Sequence, residues 1–173
     1  MKTKIIAATL FATLNLWGVT IGTKPQEVTL SGKNGGMAKD NAPWSSKTLK
    51  NKVYVMFYVD PDEKDLNEAF SDALKAKEYR KKGAYGSIAI VNLAATWKPN
   101  VIIESLLKSK QKEFPQTVYV KDKKSILVKK WKLADDNNDI LIFDKDGRVL
   151  FYKAGKMSKE DMQKAFKIIE EHL

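Results

Sequence analysis

The sequence predicts an α/β sandwich: a central mixed sheet flanked by helices and closed by a C-terminal β-hairpin plus helix. Three observations carry that expectation. From residue 52 onward, apolar runs of strand length alternate with one-sided apolar stripes of helix length. Asp146-Gly147 supplies a hairpin turn between the runs 140–143 and 149–151. Ser158, with Asp161 three residues on, has the spacing of a capping box ahead of a terminal helix.

Residues 21–36 read as an extended leading segment. Val28 and Leu30 alternate with polar neighbours, and Gly32-Lys33-Asn34-Gly35-Gly36 turns the chain. Residues 37–50 form a polar surface loop around Pro43 and Trp44, with Trp44 packing onto the body. The run 52–59, KVYVMFYV, is apolar and aromatic without clean alternation, as in a strand buried on both faces. Asp60 then stands as a helix N-cap with Pro61 at the first helical position, and Leu66, Ala69, Phe70, Ala73 and Leu74 make the stripe.

A basic turn over 75–82 leads past Gly83 and Gly86 to a second strand at 87–93. Pro99 opens the next helix, whose stripe is Ile102, Ile103, Leu106, Leu107 and Phe114, and Pro115 stops it. Residues 116–121 form a third strand. The segment 126–133, with Leu127 and Trp131, reads as a short helix, an edge strand being the alternative. Because the first half alternates strand and helix, its strands should run parallel through right-handed crossovers, and the hairpin adds antiparallel ones.

The first residues carry an address. Met1-Lys2-Thr3-Lys4 is a short basic start, followed by an apolar run over 5–16. This layout predicts a signal peptide over 1–18, with no A-x-A triplet to fix its cleavage site, and one domain over 19–173. An uncleaved anchor is the alternative. Either way the expected location is the periplasm. The chain contains no cysteine, so thiol–disulfide exchange, a thiolate nucleophile and a cysteine-ligated metal are excluded. Its single histidine, His172, is the penultimate residue, which leaves no Ser-His-Asp relay and no multi-histidine metal site. The formal net charge of +10 permits attraction to polyanions without specifying one, since lysines scattered over exposed faces also serve solubility.

The text FPQTVYVKD from Phe114, followed by VKKWKL and DILIFDKDGRVLFYKAG, resembles the YtfJ family of secreted bacterial proteins. IGTKPQEVTLSGKNGG is similar to the opening segment of that family and of the peroxiredoxin-like branch. The resemblance implies a thioredoxin-like fold and brings no catalytic residues. In a thioredoxin the redox pair sits where the first central strand hands over to its helix. Here that place falls around residues 61–66, with Asp62 and Asp65 nearest the two thiol positions. Asn137-Asn138-Asp139 stands where the resemblance would place a cis-proline.

The expected function is binding without redox chemistry, with no cofactor and with an envelope protein or peptide as partner. The expected contact surface is the former active-site edge: Asp60, Asp62, Asp65, Trp97 and a loop of Asn137, Asn138 and Asp139. Two rivals remain open. Asp60, Asp62, Glu63 and Asp65 could converge with Asp135, Asp136 and Asp139 on a hard divalent cation and support a metal-assisted hydrolase, although helix capping also explains the first group. The basic segment 121–132, KDKKSILVKKWK, could meet nucleic acid or an anionic membrane surface, although Trp131 also suits a core position.

Overall fold

The computed structural model describes residues 18–79 and 83–173; the expected signal peptide over 1–18, apart from Gly18, and part of the basic turn lie outside them. The strands are β1 (Thr29–Leu30), β2 (Gly35–Met37), β3 (Trp44–Ser45), β4 (Val53–Val59), β5 (Tyr85–Asn92), β6 (Thr117–Asp122), β7 (Asn138–Phe143) and β8 (Val149–Lys153). The α-helices are α1 (Glu68–Ala76), α2 (Asn100–Glu113), α3 (Ile126–Trp131) and α4 (Lys159–His172).

Six strands form one sheet in the order β2-β6-β5-β4-β7-β8. β4 lies at its centre, parallel to β5 and antiparallel to β7, which is why its sequence is apolar on both sides. Met56 and Tyr58 face a cluster containing Leu127, Trp131, Leu141 and Phe143. Val53 and Val55 face the opposite one, with Phe70 and Leu74 of α1 and Ala165 and Ile169 of α4. A third, smaller cluster packs Ile103 and Leu107 of α2 against Val91, Leu93 and Ala38. The mixed sheet between helical layers is the expected architecture.

The hairpin and last helix form as their residues dictate. Asp144 Oδ1 accepts the amides of Asp146 and Arg148, and Gly147 takes φ 81°. Ser158 and Asp161 complete a reciprocal capping box on α4. The segment after β6 is a helix, not an edge strand. Trp131 is fully buried there, and its Nε1 donates to Gln26 O at 2.7 Å.

Two local expectations are corrected. The Gly35-Gly36 pair does not simply turn the chain; it enters the sheet as β2, antiparallel to β6, with Gly35 opposite Asp122. A Cβ on Gly35 would stand 1.8 Å from Lys121 O, so only glycine permits this approach. The helix after β4 does not begin at Pro61. Residues 61–63 make a 3₁₀ turn and α1 starts seven residues later, which leaves Ala69 exposed and draws Asn67 inside.

Candidate functional site

The carboxyl end of β4 is where an open α/β sheet presents ligands, and the chain spends polar side chains there. Asp60 is 4% exposed, and its Oδ1 accepts the Asp62 amide at 2.8 Å, capping the 3₁₀ turn. Burial raises the Asp60 pKa above the usual carboxylate range, against the pull of that amide. Asp62 is exposed and behaves oppositely. The Lys98 ammonium and the Thr96 hydroxyl, whose Oγ1 donates at 2.7 Å, hold its pKa down. Asp62 thereby ties the 3₁₀ turn to the loop 94–98 and fixes the residues on both sides of Trp97.

Beneath this turn Asn67 acts as a hub. Its Nδ2 donates to Asn138 O at 3.0 Å and Gly155 O at 3.1 Å, and its Oδ1 accepts the Met157 amide at 2.9 Å. Asn138 Nδ2 in turn donates to Glu63 O at 3.2 Å. Four segments of the edge are joined through two amide side chains whose donors and acceptors match backbone groups.

Asp139 lies fully buried in β7. Its Oδ2 accepts the Ala134 amide at 2.8 Å and the Tyr152 hydroxyl at 3.1 Å, while Oδ1 has no hydrogen-bond partner among the described residues. Desolvation raises its pKa, and burial together with the neighbouring Asp139 pushes the Tyr152 phenol up to about 12. Asp122, equally buried, accepts Tyr58 OH and the amides of Ile126 and Leu127, and so anchors the start of α3.

Of the expected contact residues, Asp62, Asp65 and Trp97 are on the surface and Asn137 is half-buried. Asp60, Asn138 and Asp139 are buried. The expected loop over 137–139 is corrected, because Asn138 and Asp139 belong to a strand and support the edge from below. The two acidic sets do not assemble: no group of three or more Asp, Glu or His among the described residues is placed to hold a metal ion. In the basic segment, Lys121 is buried with Glu104 and Asn41, Lys123 pairs with Glu104, and Lys129 Nζ donates to Lys124 O.

Sequence reasoning missed Asn67, Thr96 and Lys98, since single polar residues in a turn carry no periodic signal. It also placed the whole α2 stripe inside. Only Ile103 and Leu107 are buried; Val101 is 73%, Ile102 51% and Leu106 56% exposed, and Trp97 just ahead of the helix is 85% exposed. The stripe is two residues wide, and the neighbouring layer covers one of its sides.

The described fold has counterparts among known proteins. A thiol-disulfide isomerase from Corynebacterium glutamicum has a similar structure, with TM-score 0.55 and 17% identity, covering 78% of this chain and 88% of that one. Similarity at that identity establishes a thioredoxin-like fold alone. An uncharacterized protein of Haemophilus influenzae is 29% identical over 146 residues, 83% of this chain and 77% of its own. The uncharacterized protein YtfJ of Escherichia coli is 26% identical over 133 residues, 75% of this chain and 72% of its own. Residues 23–172 match the profile of a family described as bacterial protein of unknown function, YtfJ_HI0045, and the chain belongs to that YtfJ family.

Proposed function

We propose that this protein is a redox-inactive binding module of the bacterial cell envelope, a thioredoxin-like domain that recognises a protein or peptide at its former active-site edge. One observation carries the reading. The turn between β4 and α1, where the fold seats a thiol pair, is here a closed set of hydrogen bonds from Asp60, Asp62, Thr96 and Lys98, in a chain without cysteine. Such a turn has no nucleophile to offer, yet it holds a defined surface in place. The periplasmic setting is supported by the basic and then apolar layout of residues 1–18. It is not an enzyme in this reading, and it needs no cofactor.

The test is crosslinking in intact cells with a photoreactive residue at position 65 or 97, followed by identification of the captured protein. Asp62→Ala together with Asp65→Ala should leave the protein folded and reduce capture several-fold. Undiminished capture by that variant, or turnover of a dithiol reagent by the purified protein, would refute the reading.

A further inference from the structure

Asp139 stands near the start of β7, beneath the candidate edge, and is fully buried. Its two oxygens are in unequal settings. Oδ2 accepts the Ala134 amide and the Tyr152 hydroxyl, whereas Oδ1 accepts nothing among the described residues. The Gly155 amide is close enough to favour a charge there, but it makes no hydrogen bond with Oδ1. A buried carboxylate spreads its charge over both oxygens and calls for donors at each. A carboxylic acid does not: its carbonyl oxygen takes two donors and its hydroxyl oxygen can do without one. The observed pattern is that of the acid, with the proton on Oδ1.

The titratable neighbours point the same way. Tyr152 faces Asp139 from β8, and Tyr58, opposite it in β4, gives its hydroxyl to Asp122 of β6. The segment 132–137, which lays Ala134 against Asp139, adds the carboxylates of Asp135 and Asp136, and the turn after β4 adds Asp60. Of the lysines flanking this site, Lys132 and Lys156 are exposed and Lys153 is held by Asp161. Desolvation accordingly raises the Asp139 pKa. The covering segment is tied down at few points. Asp139 itself holds Ala134, Asp135 Oδ1 accepts from Asn92 Nδ2 at 3.2 Å, and Asn137 O accepts the Asp60 amide at 2.8 Å. Within 132–137 only Leu133 is buried, and Asp136 sits at φ 50°, a left-handed conformation uncommon outside glycine.

From this arrangement we infer that Asp139 is a proton-operated latch on the candidate edge. Neutral, it keeps the segment 132–137 against β7. When its proton leaves Oδ1 for solvent, the segment lifts and water reaches the anion, which no cation awaits inside. Lifting 132–137 also frees Asn137 from the Asp60 amide, so the edge is closed in acid and loosens as pH rises. The consequence for partner capture rests on the binding-module reading and names what regulates that edge; the latch itself stands on the geometry.

The test follows amide hydrogen exchange in the full chain from about pH 4 to about pH 9, each rate divided by that of an unstructured chain at the same pH. Protection of the Ala134 amide should fall by up to about tenfold per pH unit above the folded-state value, while Met56 in β4 keeps its protection. Asp139→Asn cannot ionise, and its Ala134 protection should not change with pH. Tyr152→Phe removes a donor that favours the anion, so the fall should begin at higher pH. That variant decides the matter if Asp139→Asn does not fold. Flat Ala134 protection in the wild type overturns the inference. So does a fall that persists in Asp139→Asn, or one that Tyr152→Phe leaves unshifted. If the envelope crosslink fails while Ala134 opens as described, the binding reading falls and the latch stands; a crosslink with flat exchange does the reverse.

Discussion

Both polar atoms of the Asn67 side chain are committed to backbone groups of segments far away in sequence, and the residue is 4% exposed. Replacing it with alanine strands the Met157 amide and the Asn138 and Gly155 carbonyls in a buried setting. Asn67→Ala should therefore cost about 2–4 kcal/mol, read by urea unfolding, with little change in secondary structure by circular dichroism. Asp139 makes a different prediction. Desolvation raises its folded-state pKa, so in the folded protein it holds its proton to higher pH than in the unfolded chain. Its contribution is fully present below the unfolded value of about 3.9 and is lost as pH rises from there through the folded value. Asp139→Asn removes that titration. The stability difference, variant minus wild type, should rise with pH across the acid range and then level off; a pH-independent difference would contradict the assignment.

At the scale of elements, α2 shows how one carboxylate can hold a helix to a sheet. Glu104 faces Lys121 at 3.4 Å and Lys123 at 2.7 Å, and Lys121 is 1% exposed. Hydrogen bonding from Lys123 holds the Glu104 pKa below its usual range. Glu104→Gln leaves a buried ammonium without a counter-charge and should destabilise by roughly 3 kcal/mol, measured by chemical denaturation. Adding Lys121→Met should recover most of that loss, since no buried charge then remains. The same helix shows what the sequence could convey. Pro99 and Pro115 marked its limits, because proline constrains backbone in any context, and the stripe marked helical period. Which half of the stripe is covered depends on the neighbouring layer, and that information is tertiary. Likewise Asp60-Pro61 announced a turn of helix, but nothing local distinguishes a 3₁₀ turn followed by a gap from a helix that continues.

For the whole molecule, the mixed sheet and its flanking helices followed from alternating periods, with the hairpin fixed by Asp146-Gly147 and the last helix by its cap, whereas the order of the strands was not legible. The candidate edge was legible in location and only partly in composition. Asp62, Asp65 and Trp97 reached the surface, whereas Asn138 and Asp139 read as loop residues because polar types at a strand's start resemble a turn. The net charge acts at this scale too. Lys123 is engaged by Glu104, and Lys129 by the carbonyl of Lys124, so the basic segment is not a free comb of cations. Retention on heparin should be salt-sensitive, and changing Lys123, Lys124, Lys129 and Lys130 to glutamine should reduce it gradually rather than abolish it. Abolition, measured as elution without salt, would restore the polyanion reading.

The glycine that lies against the Lys121 carbonyl has a bearing on solubility. β2 is the short strip that covers the outer rim of β6. Any side chain at Gly35 would lever that strip away and bare a row of amides and carbonyls, the template on which strands of other chains assemble. The absence of one methyl group is what keeps this sheet at its finished width.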